Sequence, residues 1–269
     1  MQIAVIAMLA TGVWPWWTGW RANRGWSIEH AIGWGLAAWA SWGVAAFRQG
    51  EAADFIALAL TGAAGVAAFG ARRPHVGAWN FVVLGLVSVM LLPLIENWVL
   101  GARSLDGLRQ FFLVATLALV VSNYLPTRFW FPSLVLGSAC AVVAAHRLRP
   151  EWDCAFAAEY ARLCILLTPW IAWCFASRAN AESLNARWLE FRDRYGLVWA
   201  QRVREQFNRS AHHAGWATIL TWHALLIDDR DPEEEVERAI AGLLQRFEPR
   251  NEAREPMKGS LEDLDEGSD

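Results

Sequence analysis

The chain has 269 residues, 55% of them apolar and 19% charged, and its formal charge of −3 argues against nucleic acid as a partner. The charges are unevenly spread, sparse as far as Ala176 and frequent beyond it. This pattern predicts an all-α protein in three parts: a transmembrane helical bundle over residues 1–178, a small cytosolic domain of amphipathic helices over 179–248, and an acidic, disordered tail over 249–269.

The amino-terminal run MQIAVIAMLATGVWPWW lacks a basic start and a small-x-small cleavage site, and its first charges, Arg21 and Arg24, follow it. It reads as a retained first span. Spanning helices need roughly 20 largely apolar residues, and seven blocks approach that length: 2–20, 30–47, 53–71, 77–95, 111–125, 131–145 and 161–176. The last three are short, so they borrow flanking residues or include a re-entrant piece, and six spans is the alternative count. Arginines tie between odd and even loops, but Arg178, Arg187, Arg192 and Arg194 follow the last span. The positive-inside rule then puts the amino terminus outside and the carboxyl terminus in the cytoplasm, with a bacterial inner membrane as the expected location.

Tryptophan occurs 18 times. Trp14, Trp16, Trp17, Trp20 and Trp26 gather where the first span meets its loop, as in an interfacial aromatic belt. Trp34, Trp39, Trp42, Trp170 and Trp173 lie deeper and serve either helix packing or a stacking surface for a ligand. The second and third spans are rich in Gly, Ala and Ser, which lets backbones approach closely and places both spans inside the bundle or against another subunit. Proline in the last span marks a kink at Thr168–Pro169, a candidate gate.

No charged residue falls in the middle of a predicted span, which weighs against an ion-coupled carrier. A neutral solute would be handled by Asn80, Ser88, Ser122, Asn123 and Thr168 with the tryptophans. On this topology the outer side gathers Asp54, Glu96, Asn97, His146, Glu159 and Arg162. Glu159 and Arg162 are three apart and are placed to pair. Glu96 and His146 are the candidate catalytic pair of an interfacial enzyme acting on a lipid headgroup, although charges at span ends also need no catalytic explanation.

The cysteines Cys140, Cys154, Cys164 and Cys174 make no CxxC pair, and the adjacent His212 and His213 do not share a helix face, so no metal site and no cofactor is expected. Phosphate-loop and hydrolase motifs are missing. In the last third, Leu184, Trp188, Phe191, Tyr195, Val198, Val203 and Phe207 share a helical face. Asp231-Pro232-Glu233 predicts an N-cap and a second amphipathic helix, with an apolar stretch over 215–227 between the two. These elements pack on one another, lie on the inner membrane surface, or dock a protein. Of three functions, the first is a non-catalytic subunit or scaffold of a membrane assembly, docking through the tail helices. The others are a transporter of a neutral or lipidic solute, and the interfacial enzyme.

Overall fold

The computed structural model describes residues 2–48, 50–71, 76–100, 107–148, 151, 155–176, 183–228 and 230–248. Cys154, Arg178 and the acidic tail from residue 249 lie outside these. So does the predicted boundary at 178/179.

Seven long helices follow one another: α1 (Gln2–Asn23), α2 (Glu29–Arg48), α3 (Glu51–Phe69), α4 (Val76–Leu100), α5 (Gly107–Tyr124), α6 (Trp130–Leu148) and α7 (Ala155–Phe175). Four of them, α3, α4, α6 and α7, are long and apolar enough to cross a membrane. Helices α1 and α2 have the length, but tryptophans at 14, 16, 17 and 20, and at 34, 39 and 42, lower their apolar average. The short fifth, sixth and seventh blocks do borrow flanking residues. The largest gain is in α7, which begins at Ala155, six residues ahead of the predicted start. Alanines at 155, 157 and 158 favour helix there, and the polar Arg162 is tolerated because it finds a carboxylate, as described below.

Helices α1, α2, α3, α5, α6 and α7 form a ring, with α4 packed on the outside of α3. Small residues set its spacing. A Cβ at Gly12 would meet the Trp39 ring at 2.3 Å, one at Gly35 the Trp16 ring at 2.8 Å, and one at Gly65 the Val120 side chain at 2.1 Å. The small-residue helices α2 and α3 lie against each other inside the bundle, as their composition predicts. Phe81, Val89, Ile95 and Trp98 on α4, and Phe111 and Val114 on α5, point outward and are exposed.

The tail begins with α8 (Leu184–Ala214), capped by Ser183, whose hydroxyl accepts the Ala186 N–H at 3.1 Å, and closed by Gly215 at φ 76°. It is one element in name only. Gly196 sits at φ 76° and ψ −168° and breaks it into two helices, a break hidden by an apolar pattern that continues across it. A two-stranded antiparallel hairpin, β1 (Ile219–Leu220) and β2 (Leu225–Leu226), follows. Asn208 bonds both polar groups of Leu220 with its side-chain amide, and Asn185 accepts the Leu225 N–H, so α8 holds the hairpin.

Helix α9 (Glu233–Leu244) starts one residue later than predicted, with Pro232 as the cap. Asp231 does not cap it. Its carboxylate accepts from the Ala217 and Thr218 N–H groups and the Thr218 hydroxyl instead, tying α9 back to the strand. The Thr218 bond, with the two backbone donors, holds that carboxyl below its usual range.

The apolar faces of α8 and α9 are covered by the chain itself. Trp188, Phe191, Tyr195 and Trp199 of α8, with Val236, Ile240 and Phe247, form one buried cluster with Ala63, Ala67 and Ala68 of α3 and Val83 and Val87 of α4. A second cluster lies towards the opposite end of the bundle, built on Trp42, Ala57, Leu58, Cys140, Val143 and Leu166.

Candidate functional site, a two-chambered cavity

Between the two clusters the ring of helices leaves a cavity of about 340 Å³, lined almost wholly by apolar atoms. Its walls include Trp16, Trp39 and Trp42, the small residues Gly35, Ala64 and Gly65, and Pro169 and Ala172 of α7. The cavity is half open, so it is a space that a solute can enter and not a sealed void.

The deep tryptophans therefore divide by role. Trp39 and Trp42 are buried, line the cavity, and have their polar ends satisfied: the Trp39 indole donates to the Leu166 carbonyl at 3.2 Å and Trp42 to the Thr61 hydroxyl at 2.9 Å. Leu166 belongs to the turn preceding Pro169, so Trp39 helps to supply partners where proline disrupts the ladder. Trp34 donates instead to Asn80. Trp170 and Trp173 pair edge to face, with ring centres 5.9 Å apart.

A second chamber of about 470 Å³ adjoins the first and shares Trp16, Ile28, Ile32, Tyr124, Phe129, Pro169 and Ala172 with it. This one is polar on one side. Arg128, from the α5–α6 connection, and Glu190, Asp193 and Arg194, from α8, form its far wall, with Thr18 and Asn23 of α1 nearby. Arg194 donates to Glu190 at 2.6 Å and its guanidinium lies 3.9 Å from the centre of the Trp26 ring. Burial lowers the affinity of Arg194 for its proton, and Glu190 opposes that shift. Asp193 accepts from the Arg192 side chain at 2.7 and 2.9 Å and from the Arg128 N–H at 3.2 Å. Asp193 thus serves both Arg192 and Arg128, and Glu190 serves Arg194, so three guanidiniums share two carboxylates along this wall.

The Gly196 break aligns this wall. Asn123, buried at the end of α5, accepts the Val198 N–H at 3.0 Å and donates to the Tyr195 carbonyl at 3.4 Å, one group from each half of α8. Asn123 was expected to serve a solute, but its amide is spent on this joint. Ser88, Ser122 and Thr168 donate to carbonyls four residues earlier on their own helices. Ser27, in the α1–α2 connection, reaches the Ala71 carbonyl and the Tyr195 hydroxyl, which stitches two helix connections to α8.

At the other end of the bundle Asp54, fully buried in the first turn of α3, receives two arginines. Arg162 of α7 donates Nε–H and Nη2–H to its two oxygens at 2.8 and 2.7 Å, and Arg147 of α6 donates to it at 2.7 Å. Charges were expected only at span ends, yet Arg162 lies more than two turns inside α7. Its guanidinium serves Asp54, across 108 positions of sequence. Glu159, expected to pair with it, lies one turn earlier on α7 and is half-buried.

Of the candidate catalytic pair, Glu96 sits near the end of α4, which packs on α3, and His146 near the end of α6, which packs mainly on α7 and α5. His146 Nδ1 is buried without a hydrogen-bond partner. Thr168 and Pro169 both line the first chamber, and Pro169 lines the second as well. Among the described residues no three His, Cys, Asp or Glu side chains come together as a metal site would require. Fold and cavity together define a helical bundle with membrane-length helices enclosing an amphipathic cavity. No known family, no curated protein and no solved structure matches the chain.

Proposed function

We propose that the protein is a polytopic membrane protein that binds a lipidic solute within its bundle and passes it between the membrane and the tail-side face. The cavity carries this reading: an apolar chamber continues into one that is polar along one wall, as an amphiphile would need. All seven long helices cross the membrane in this proposal. The α1–α2, α3–α4 and α5–α6 connections all bond or abut α8, consistent with helices that alternate in direction and end on the tail side. Arg187, Arg192, Arg194 and Arg202 on α8 favour the cytoplasm for that side.

Pro169 and Ala172 sit at the neck between the chambers, so the Thr168–Pro169 kink is the gate in this account. In reconstituted vesicles a panel of fluorescent lipids then includes one whose flux depends on the protein. Pro169→Ala slows that flux, and Ala172→Phe, which fills the neck, lowers it at least tenfold without loss of folded protein. Absence of flux across the panel contradicts the transport reading.

A second reading, a non-catalytic subunit docking through its tail, draws on one observation. Ile219, Leu226 and Ile227 leave an exposed apolar patch on the hairpin, although the faces of α8 and α9 are already covered.

A further inference from the structure

Resting on the cavity reading above, we infer that the second chamber takes the headgroup of an anionic amphiphile, a carboxylate or a phosphate, with Arg128 as its anchor. Its wall holds three guanidiniums, on Arg128, Arg192 and Arg194, against the two carboxylates of Glu190 and Asp193. Two of the three are committed. Arg192 donates Nε–H and Nη2–H to Asp193 Oδ1 and Nη1–H to the Trp222 carbonyl, and Arg194 donates to Glu190 at 2.6 Å. Asp193 Oδ1 also accepts the Arg128 backbone N–H at 3.2 Å, so most of what that carboxylate offers is spent.

Arg128 is the cation left over. Among the described residues its guanidinium makes no hydrogen bond, and its contact with a carboxylate is Nε to Asp193 Oδ2 at 3.5 Å. The side chain lines the second chamber and is 27% exposed. Its guanidinium carbon lies 5.1 Å from the centre of the Phe129 ring, and Phe129 lines both chambers. Arg194, on the same wall, feels this charge: burial is the main reason that its hold on the proton is weakened, and repulsion from Arg128 adds to it. An anion in the chamber offsets that repulsion.

The ligand class follows from the donor. A guanidinium presents planar, paired N–H groups that match the oxygens of a carboxylate or phosphate. A cationic head would be repelled, and a neutral one gains little from an unmatched charge. The acyl chain enters the first chamber, where Trp39 and Trp42 supply apolar ring faces.

Equilibrium binding of radiolabelled oleate, oleoyl lysophosphatidate and monoolein to the full-length protein in mild detergent tests the inference, at an alkaline pH that ionises both acids. These probes share one chain and differ in the headgroup. At least one of the anions should bind about tenfold more tightly than monoolein, the range of a charge-assisted hydrogen bond, and the tighter of the two names the source, a free fatty acid or a lipid phosphate. Arg128→Gln, which keeps the backbone bond to Asp193, should bring that anion down to about the affinity of monoolein, with Arg128→Lys between. Added salt should weaken the anion more than monoolein, a wild-type readout that stands even if Arg128→Gln does not fold. Monoolein binding as tightly as both anions, or anion binding indifferent to Arg128→Gln and to salt, overturns the headgroup assignment while leaving the cavity reading intact. If no probe binds wild type, or all bind Ala172→Phe equally well, the cavity reading falls, and this inference with it.

Discussion

Asp54→Asn is expected to cost about 3–5 kcal/mol of stability, the largest loss from any single substitution in the bundle of long helices. Asp54 is fully buried and holds two guanidiniums, and Arg162 is itself almost entirely enclosed. Removing the carboxylate takes from both guanidiniums the acceptor they share. The cost comes from leaving charges unpaired in an apolar setting and not from the attraction itself, which desolvation largely offsets. Thermal unfolding in detergent, followed by the loss of monodisperse protein, reads this out. Asp54→Glu, which keeps the charge, should lie between Asn and wild type. An unchanged melting temperature in Asp54→Asn would mean that the cluster carries little of the packing among α3, α6 and α7.

Gly196→Ala is expected to be the most damaging substitution in the tail, at about 3 kcal/mol, because two independent effects add. A side chain at φ 76° and ψ −168°, a region essentially reserved for glycine, costs roughly 1–3 kcal/mol. A Cβ there would also lie 2.2 Å from the Asn123 amide nitrogen and 2.8 Å from its backbone oxygen, and backbone does not move aside cheaply. Gly215 supplies the control. It has the same φ of 76° but the milder left-handed ψ of 18°, and nothing lies within 4 Å of the added Cβ, so Gly215→Ala should cost only about 1 kcal/mol. Because Asn123 joins α5 to both halves of α8, Gly196→Ala should also open α8 to limited proteolysis more than Gly215→Ala does. Equal effects at the two glycines would remove the Asn123 contact from the explanation.

Much of the helical frame was legible because it is written in local patterns. Apolar runs marked each long helix, and small residues marked α2 and α3 as close-packed. What escaped depends on partners distant in sequence. Arg162 looked like the edge of a span because its carboxylate lies 108 positions away, and only an Asp inside an otherwise apolar α3 hinted at it. Asn123 looked free for a solute because its partners, Tyr195 and Val198, come after two more helices. An isolated glycine in a helical pattern was the available sign of the break at 196. The cavity left no sequence signal of its own, since it arises where Gly35 and Gly65 bring helices together and the tryptophans hold them apart.

The most direct measurement is native mass spectrometry of the protein purified from its own membranes in mild detergent, alongside Ala172→Phe prepared identically. The account predicts a lipid bound in stoichiometric amount to wild type and missing from the filled variant. A lipid-free protein, or one carrying a stoichiometric protein partner and the same lipids in both preparations, would contradict it and favour the docking subunit.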